Sequence, residues 1–542
     1  MRLDNAALKA EIELLQNSFR VRAANLLAQA VSSPRGALLA PRDLLQLVRD
    51  FLGARSWRRL VTFLECGLPD DPLRHCSTSN FKNRKELLRL VNLAGANKPP
   101  TQMKSLDPRL SSAQARFTEL FEIAQNGPPQ PQNSVDANLR AETINQEKSV
   151  LMVLHTGQPD HSNGYARRSH ELLRELNAGD YRVSCGLRAH APETTGAIID
   201  GVSYERLPYF TPKNDGYIAY TNAYAQAIGT LIKSLRPSIV HAASNHVSGY
   251  AAGLAARNAN LPFFYEVRGL WEVTRASVEP IFEGSTGYAA QQTMEHYVAT
   301  MADRLLVNGK GLMEYFEAAG VDKDKIINVP NGCLPEEFDV KPEKTAMLGK
   351  KFRLDDRPVI GFVGSITPYE GLHTLVEACA LLRDLPFQLL IIGDGPFLPQ
   401  LRRQIMASPI ADRSRLIGRV SPDTAKAAYS LIDIAPITRS DTPVGRLTPP
   451  LKPLDAMSGR SALIVTDLPA LRGFAIEDRG LIVPPNDNHA LSEALRILLK
   501  DTALRARVTR RARQHVERQS RWRFSAAEVS QAYDTVLSEK SL

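Results

Sequence analysis

Short apolar runs alternate with amphipathic segments over most of the chain, from about residue 148 onwards. Each run ends in glycine or polar residues, and the segments between the runs carry leucines at helical spacing, which is typical of parallel β–α–β units. The first series of predicted strands is KSVLMVLHT, SIVHAAS, PFFYEVRG, ADRLLVNG and KIINVPNG, and the second is VIGFVGSI, FQLLIIGDG, RLIGRV, LIDIAPI, SALIVTD and GLIVPP. The pattern predicts an α/β protein with two tandem, doubly wound, Rossmann-like domains.

The charged link VKPEKTAMLGKKFRLDDR separates the two series of strands and sets the domain boundaries. We expect a mostly helical N-terminal extension and linker in 1–147, a first Rossmann-like domain in 148–343 and a second in 344–522. A last helix in 523–542 could cross back to the first domain. Because ligands of such sheets bind beyond the carboxyl ends of the strands, two tandem domains predict a cleft between facing sheet edges.

The N-terminal extension combines a helical stripe with a local excess of positive charge. The stripe repeats at alternating spacings of four and three, and would suit a short coiled-coil seam: Leu8, Ile12, Leu15 and Phe19. Residues 1–60 carry ten Lys or Arg and five acidic residues, with interleaved leucines. This segment could rest on an anionic membrane surface, or it could be a helical appendage with a solvated charged face. The polar stretch 124–147 is predicted to be a linker.

Composition and charge exclude several classes of protein. With 542 residues, 43% hydrophobic residues and 23% charged residues, the chain is neither a disulfide-stapled module nor a disordered protein. The net charge of +9 suits a phosphate-bearing partner but does not by itself identify one. The cysteines are dispersed without a CxxC pair, which favours reduced thiols in a cytoplasm: Cys66, Cys76, Cys185, Cys333 and Cys379. No signal peptide or membrane-spanning run is apparent, so we expect a cytoplasmic protein.

Two places in the second domain could bind phosphate. The loop from Gly364 to Gly371 follows an apolar strand and opens a helix, where backbone N–H groups and the helix dipole favour an anion. Gly393 follows the next strand in the same way, although an ordinary β–α turn also needs glycine. Near a helix start, Lys452 could bind a diphosphate, and the first-turn carboxylate of Asp455 could accept both hydroxyls of a ribose. Alternatively, Asp455 only caps the helix and Lys452 is solvated.

The ordered set of motifs resembles the family 4 glycosyltransferases of the GT-B fold. In the second domain the similar motifs are GS-ITPY-EG at 364–371, GDGP at 393–396 and LDAMSG at 454–459. In the first domain they are SNGYARRSHELLREL at 162–176, VHAASN at 240–245, YEVRGLWE at 265–272 and VPNG at 329–332. The similarity covers about 148–525 in the order of the family. It implies a first domain that binds the acceptor and a second that binds a nucleoside diphosphate sugar.

Four positions depart from the pattern of the family. Ser365 and Glu370 stand where the family has Arg and Lys for the diphosphate, and Leu447 and Asp455 stand where it has two glutamates. Some branches share the Y-E-G turn and a T-P-x-K-P-L-E-A-M helix, and their lysine is a replacement cation. The resemblance therefore implies Asp455 as ribose ligand and Lys452, with Arg446 as a second candidate, for the diphosphate. The predicted donor-binding residues are Gly364, Ser365, Glu370, Gly371, Gly393, Lys452 and Asp455.

Polar residues at strand ends predict the acceptor side. Gly164, after Asn163, opens a helix at the end of the first strand, and either Arg167 or Arg168 can point inward while the other is solvated. Glu266, Arg268 and Glu272 lie at another strand end, as functional groups or as a structural ion pair. His241 follows a strand into the cleft. The predicted catalytic residues are Lys452, Arg446, Asp455, Arg268 and His241, and the acceptor-side residues are Asn163, Gly164, Arg167, Arg168, Glu266 and Glu272.

The resemblance implies a retaining, metal-independent hexosyltransferase that moves a sugar to a glycan or lipid-linked acceptor, with a place in bacterial surface polysaccharide assembly. Asp322-Lys323-Asp324 has the letters of a metal-binding DxD motif but lies in a loop between helix and strand, so we expect no metal and no cofactor besides the nucleotide sugar. The alternatives are a catalytically degenerate GT-B scaffold and another GT-B enzyme, such as a sugar-nucleotide epimerase. Because no stretch combines aromatic and basic residues into a binding platform, we expect no nucleic-acid partner.

Overall fold

The computed structural model describes residues 118–129, 148–161, 163–188, 196–208 and 216–541. The expected coiled-coil stripe, the basic segment 1–60 and most of the expected linker lie outside these residues. The described residues form two compact units. The smaller contains 118–126, 216–218 and 284–290, and the larger contains the rest, including both sheets. Residues 118–126 are helical (α1), so the first three residues assigned to the linker belong to a helix instead.

The first sheet has eight strands in the order β3-β4-β2-β1-β5-β6-β7-β8, parallel except for the β3–β4 pair. Its strands are β1 Ser149–Leu154, β2 Arg182–Leu187, β3 Ala197–Ile199, β4 Val202–Arg206, β5 Ile239–Ala243, β6 Phe263–Val267, β7 Arg304–Val307 and β8 Ile326–Asn328. The helices around it are α2 Gly164–Ala178, α3 Gly216–Leu235, α4 His246–Asn258, α5 Trp271–Val278, α6 Thr286–Met301 and α7 Lys310–Ala318. All five predicted strands are present.

The second sheet has six parallel strands in the order β11-β10-β9-β12-β13-β14. Its strands are β9 Val359–Val363, β10 Gln388–Ile392, β11 Ser414–Gly418, β12 Ile434–Ile437, β13 Ala462–Thr466 and β14 Gly480–Val483. Its helices are α8 Pro342–Lys351, α9 Leu372–Ala380, α10 Leu398–Ala407, α11 Pro422–Ala428, α12 Pro443–Leu447, α13 Lys452–Ser458, α14 Pro469–Ala475, α15 Asn488–Lys500 and α16 Thr502–Gln519. The six predicted strands are all present, and the prediction of two tandem Rossmann-like domains is confirmed.

A final helix, α17 Trp522–Ser541, packs on the first sheet. Val529 and Tyr533 of this helix lie in the same hydrophobic core as Val150 and Met152 of β1. Short 3-10 turns occupy Pro280–Phe282, Lys323–Lys325, Pro335–Phe338, Pro368–Glu370, Ala411–Arg413 and Tyr429–Leu431. The chain thus leaves the second domain after α16 and ends against the first.

The strand order of each sheet fixes where a ligand can bind. In the first sheet the order reverses between β1 and β5, and in the second it reverses between β9 and β12. At such a point the loops after two neighbouring strands leave in opposite directions and open a crevice at their carboxyl ends. The loops that follow β9 and β12 therefore form the edge of the second sheet at which a ligand is expected.

Candidate functional site

Two cations converge on one carboxylate oxygen at the crevice of the second sheet. The Lys452 ammonium donates to Glu370 Oε1 at 2.8 Å, and the Arg439 guanidinium donates to the same oxygen at 3.2 Å. Glu370 ends the loop after β9, Arg439 follows β12, and Lys452 is the first residue of α13. The Glu370 and Arg439 side chains are buried, whereas that of Lys452 is 16% exposed. We call these three residues the cation cluster.

The cation cluster carries one more positive charge than negative. Burial alone would raise the pKa of Glu370, but Arg439 and Lys452 outweigh burial and hold it below its ordinary value. Burial lowers the pKa of Lys452, and Glu370 opposes this shift. The second carboxylate oxygen of Glu370 is buried and has no hydrogen-bond partner within the described part of the chain. The cluster is therefore a preformed site of net positive charge whose lysine side chain is partly exposed.

Two glycines allow the backbone to close around the cation cluster. Gly371 has a φ of 69°, and a Cβ at this position would collide with the carbonyl of Thr438 at the end of β12. A Cβ at Gly364 would collide with the aliphatic stem of Lys452. The predicted loop glycines therefore bring the β9 loop against both β12 and α13. Ser365 is exposed, and Gly393 lies against the backbone of Gly364.

The two domains are joined by an ion pair at α13. Arg167 in α2 donates to both carboxylate oxygens of Asp455, from Nη1 at 2.8 Å and from Nη2 at 2.7 Å. The side chains are 20% and 12% exposed. Beside this pair, Gly164 at the start of α2 faces Leu451, just before α13. The structure thus brings four sequence-predicted donor and acceptor residues together, namely Gly164, Arg167, Lys452 and Asp455.

The neighbouring Arg168 points into the first domain rather than towards solvent. Its Nε donates to Glu266 Oε1 at 2.7 Å, and it also donates to the carbonyls of Val329 and Pro330. Arg268 donates to the other oxygen of Glu266 at 2.6 Å. Because Glu266, Arg168 and Arg268 are all buried, this is a buried ion-pair network within the domain. The expectation that one of the two adjacent arginines is solvated is wrong, since both are paired.

His241, predicted as a catalytic candidate, lies inside the first domain. Its Nδ1 forms a hydrogen bond of 2.6 Å with the hydroxyl of Tyr533 in α17. Burial lowers the pKa of His241 to about 4, so the imidazole is neutral at pH 7. This hydrogen bond gives His241 a structural role, which is to hold α17 against the first domain.

Arg446 does not join the cation cluster. Its guanidinium binds Asp441 at 2.5 Å and 2.7 Å, and its side chain is 54% exposed. Both partners lie on the segment that ends in α12, five residues apart. The structure therefore gives Arg446 a local ion pair at the surface.

Glu272 is a buried carboxyl group near the start of α5. Both its carboxylate oxygens lack a hydrogen-bond partner in the described ranges, and burial raises its pKa to about 7. Glu295 in α6 accepts hydrogen bonds from the Tyr265 hydroxyl at 2.5 Å and from the His246 backbone N–H at 3.0 Å. The pKa of Glu295 is raised to about 8, mainly by burial and further by the nearby Glu272. The two carboxyl groups form a buried acidic pair in the first domain.

Sequence reasoning missed Arg439, Glu295 and Tyr533. Arg439 lies just after a predicted strand, β12, at the point where the strand order of the second sheet reverses. A basic residue in that position was the signal that could have identified it. Glu295 and Tyr533 lie within helices, and nothing in their local sequence distinguishes them from solvated positions.

The sequence Asp322-Lys323-Asp324, which has the letters of a DxD motif, forms part of a 3-10 turn. The side chain of Asp322 accepts a hydrogen bond from the backbone N–H of Asp324. Among the described residues, no group of three or more His, Cys, Asp or Glu could hold a metal ion.

No helix in the described part of the chain is long and apolar enough to cross a membrane.

Two family models match the chain, one on each domain. Residues 163–332 match the model described as "Glycosyl transferase 4-like domain", and residues 344–515 match the one described as "Glycosyl transferases group 1". Together the two matched ranges cover more than half of the chain, and they divide it between the two sheets.

Two curated relatives are similar over most of their own length. An α-D-kanosaminyltransferase from Streptomyces kanamyceticus is 26% identical over 351 residues, which is 61% of this chain and 85% of the relative. A D-inositol 3-phosphate glycosyltransferase from Jonesia denitrificans is 25% identical over 389 residues, which is 67% of this chain and 89% of the relative.

Solved structures share the fold. Sucrose-phosphate synthase from Thermosynechococcus elongatus has a TM-score of 0.61 at 20% identity, and the match covers 72% of this chain and all of that one. Anabaena HepE in complex with UDP-glucose has a TM-score of 0.57 at 14% identity, over 71% of this chain and 99% of that one. At this level of identity the likeness concerns the arrangement of the two sheets.

Proposed function

This chain belongs to the family 4 glycosyltransferases of the GT-B fold, and from that premise we propose that it transfers a sugar from a nucleoside diphosphate sugar to a glycan or glycolipid acceptor, with retention at the anomeric carbon. The observation that carries the proposal is the convergence of Lys452 and Arg439 at the crevice of the second sheet. Sugar transfer by a GT-B enzyme needs positive charge at the departing diphosphate, and this cluster supplies it.

The chemical demand on the donor side is to stabilise a leaving group. As the anomeric carbon becomes oxocarbenium-like, negative charge grows on the diphosphate, and a preorganised cation lowers the barrier. Lys452 is partly exposed, so its ammonium can bind a phosphate oxygen while Glu370 and Arg439 hold the side chain in place. By analogy with the loss of one oxyanion donor, its removal would cost roughly 2–4 kcal/mol of transition-state stabilisation. No metal ion and no resident cofactor take part in this scheme.

Asp455 is the proposed ligand of the ribose. Each of its oxygens accepts one hydrogen bond from Arg167. A carboxylate has about four acceptor positions, so two remain for the ribose hydroxyls. Because Arg167 comes from the first domain, the same carboxylate would link nucleotide binding to the contact between the domains.

The acceptor class is proposed from the relatives. Their names give D-inositol 3-phosphate and phosphatidyl-myo-inositol as acceptors, and a further relative is a 2-deoxystreptamine glucosyltransferase. We favour a glycan or lipid-linked acceptor at the inner face of a bacterial membrane, in surface polysaccharide assembly. A free cyclitol is the alternative acceptor.

The test is nucleoside diphosphate release from a panel of UDP-, GDP-, dTDP- and ADP-sugars. Each donor is incubated with the full chain and with phosphatidylinositol, inositol 1-phosphate, 2-deoxystreptamine or a bacterial glycolipid extract. We expect one donor to give acceptor-dependent release, and the anomeric configuration of the product, measured by NMR, to match that of the donor.

Two variants tie any activity to the proposed site. Lys452→Ala and Asp455→Ala should each reduce acceptor-dependent release strongly, and Glu314→Gln, in an exposed ion pair with Lys310, should not. Release that is unchanged in both site variants would refute the assignment of the site. The absence of release with every donor and acceptor, or inversion in the product, would refute the proposed reaction.

A further inference from the structure

The last helix of the second domain concentrates the positive charge of the chain. Residues 500–523 carry nine Lys or Arg and two acidic residues, in a protein whose total net charge is +9. The segment comprises α16 and the first turn of α17. It is separate from the basic segment 1–60, and the donor site does not use any of its side chains.

The arginines of α16 divide into an inner and an outer set. Val508, Ala512 and Val516 are buried at a spacing of four and face the sheet core. With about 3.6 residues per turn, Arg507 and Arg518 point away from that stripe in nearly the same direction. Arg510 lies one turn further along the same exposed side, and all three are exposed. The helix therefore presents arginines outward along its whole length.

The exposed Arg511 of α16 lies 3.9 Å from Asp478, whereas three other exposed arginines of this helix lack such a partner among the described residues. Among the described residues, Arg507, Arg510 and Arg518 form no ion pair within 4.0 Å. By contrast, Arg513 on the inner side binds Asp339 at 2.9 Å and Glu517 at 2.5 Å. Unpaired arginines along one face repel one another, and an anionic partner would relieve this repulsion.

An exposed aromatic ring lies in the first turn of α17, the helix that follows α16. Phe524 is 37% exposed, and the guanidinium of Arg523 lies 5.0 Å from the centre of its ring. Arg523 is exposed and is likewise without an ion pair in the part of the chain that the structure describes. We call Arg507, Arg510 and Arg518 the basic face.

We propose that the basic face is a docking surface for the anionic headgroups of a phospholipid membrane. Arginine binds phosphate through a planar fork of donors, and several arginines on one side of a helix match a surface that presents many phosphates in a plane. A partly exposed phenylalanine beside an arginine suits the boundary between headgroups and acyl chains. A single exposed ring offers no series of stacking surfaces for bases, so the observations favour a membrane over a nucleic acid.

The test compares two triple variants of the full chain in vesicle co-sedimentation. The first is Arg507→Gln, Arg510→Gln and Arg518→Gln. The control removes three exposed arginines from the other side of the same domain, with the same change in net charge: Arg402→Gln, Arg403→Gln and Arg419→Gln. The vesicles are phosphatidylcholine with and without phosphatidylglycerol. Both variants keep residues 1–60, so any contribution of that segment to binding is common to them.

Each basic residue near an anionic surface strengthens binding by about fivefold. We expect the first variant to lose at least tenfold in binding to the phosphatidylglycerol vesicles and the control to bind within about twofold of the unchanged protein. Added salt should weaken the binding of the unchanged protein, because the contact is exposed.

Equal losses in both variants would overturn the proposal, because net charge alone would then explain the binding. Undiminished binding of the first variant would also overturn it, and loss of affinity for a duplex RNA probe alone would indicate a nucleic-acid surface instead. Vesicle binding is measured without substrate, so its outcome is independent of the proposed reaction.

Discussion

Arg167 and Asp455 form a bidentate ion pair between α2 of the first domain and α13 of the second, with N–O distances of 2.8 Å and 2.7 Å. The two residues are separated by 288 positions along the chain. Arg167 lies in the first turn of α2, and Asp455 lies in the helix that carries Lys452. The contact between the domains is therefore made at the proposed nucleotide site.

Breaking this pair should weaken the association of the domains. Removal of either charge from a largely buried pair leaves the other without a partner, which costs more than the loss of an exposed pair. We expect Arg167→Gln and Asp455→Asn each to lower the midpoint of urea unfolding, and the double variant to lower it no further than the more severe single variant. Arg472→Gln, in an exposed pair with Asp467, is the control and should leave the midpoint nearly unchanged. Additive losses in the double variant would contradict the pairing.

The kinetic role of Lys452 can be separated from that of Arg446. Lys452→Met removes the ammonium that we assign to the diphosphate, and should lower kcat/KM for the donor by roughly 10²-fold or more. Arg446→Gln removes a cation that is already paired with Asp441 at the surface, and should change kcat/KM by less than about twofold. Steady-state rates of nucleoside diphosphate release measure both. If kcat/KM fell further in Arg446→Gln than in Lys452→Met, Arg446 and not Lys452 would be the residue that binds the diphosphate.

The acidic pair of Glu272 and Glu295 predicts that stability falls as pH rises. The folded protein holds the pKa of Glu272 at about 7, against about 4.3 for an exposed glutamate, so the folded state binds a proton more tightly than the unfolded state. The contribution of this bound proton to the free energy of unfolding is complete below about pH 4.3, and it is lost as the pH rises to about 7. The loss amounts to about 4 kcal/mol, and Glu295 extends it towards pH 8. Urea unfolding at a series of pH values measures it.

Glu272→Gln should flatten this dependence. A neutral amide replaces the protonated carboxyl, so the variant should match the unchanged protein near pH 4 and be more stable than it at pH 8. Glu314→Gln, at an exposed site, should leave the pH dependence as it is. A variant that loses as much stability between pH 5 and pH 8 as the unchanged protein would show that Glu272 is not held protonated.

His241 should matter for stability and not for the chemical step. Tyr533→Phe leaves the buried Nδ1 of His241 without its partner, which should cost about 1–3 kcal/mol of stability. The rate per folded molecule should stay the same, since both residues lie in the core of the first domain. Unfolding and steady-state kinetics on one preparation test this. A fall in kcat with unchanged stability would restore His241 as a catalytic residue.

The fold was accessible from the sequence because buried parallel strands appear as continuous apolar runs. All eleven predicted strands are present, while β2, β3 and β4 were not predicted. Two of these, β3 and β4, form an antiparallel pair at the sheet edge with half-exposed residues, so their sequences lack an uninterrupted apolar run. Patterns of burial thus reveal central strands more readily than edge strands.

The site was only partly accessible from the sequence, because its contacts depend on strand order. Lys452 and Asp455 could be singled out at a helix start, but their partners lie 82 and 288 residues away. The proximity of Glu370 to Arg439 follows from the pairing of β9 with β12, which no local pattern specifies. Glu370 therefore looked like a departure from the family, whereas the structure gives it the role of holding two cations together.

The central claim is that Lys452, held in place by Glu370 and Arg439, binds the diphosphate of the donor. Its most direct test is calorimetric titration of UDP, GDP, dTDP and ADP, and of the corresponding nucleosides, into the unchanged protein, Lys452→Met and Arg439→Met. We predict that each variant binds the preferred nucleoside diphosphate at least tenfold more weakly and binds its nucleoside with unchanged affinity. Equal losses for nucleoside and diphosphate, or no loss for either, would contradict the account.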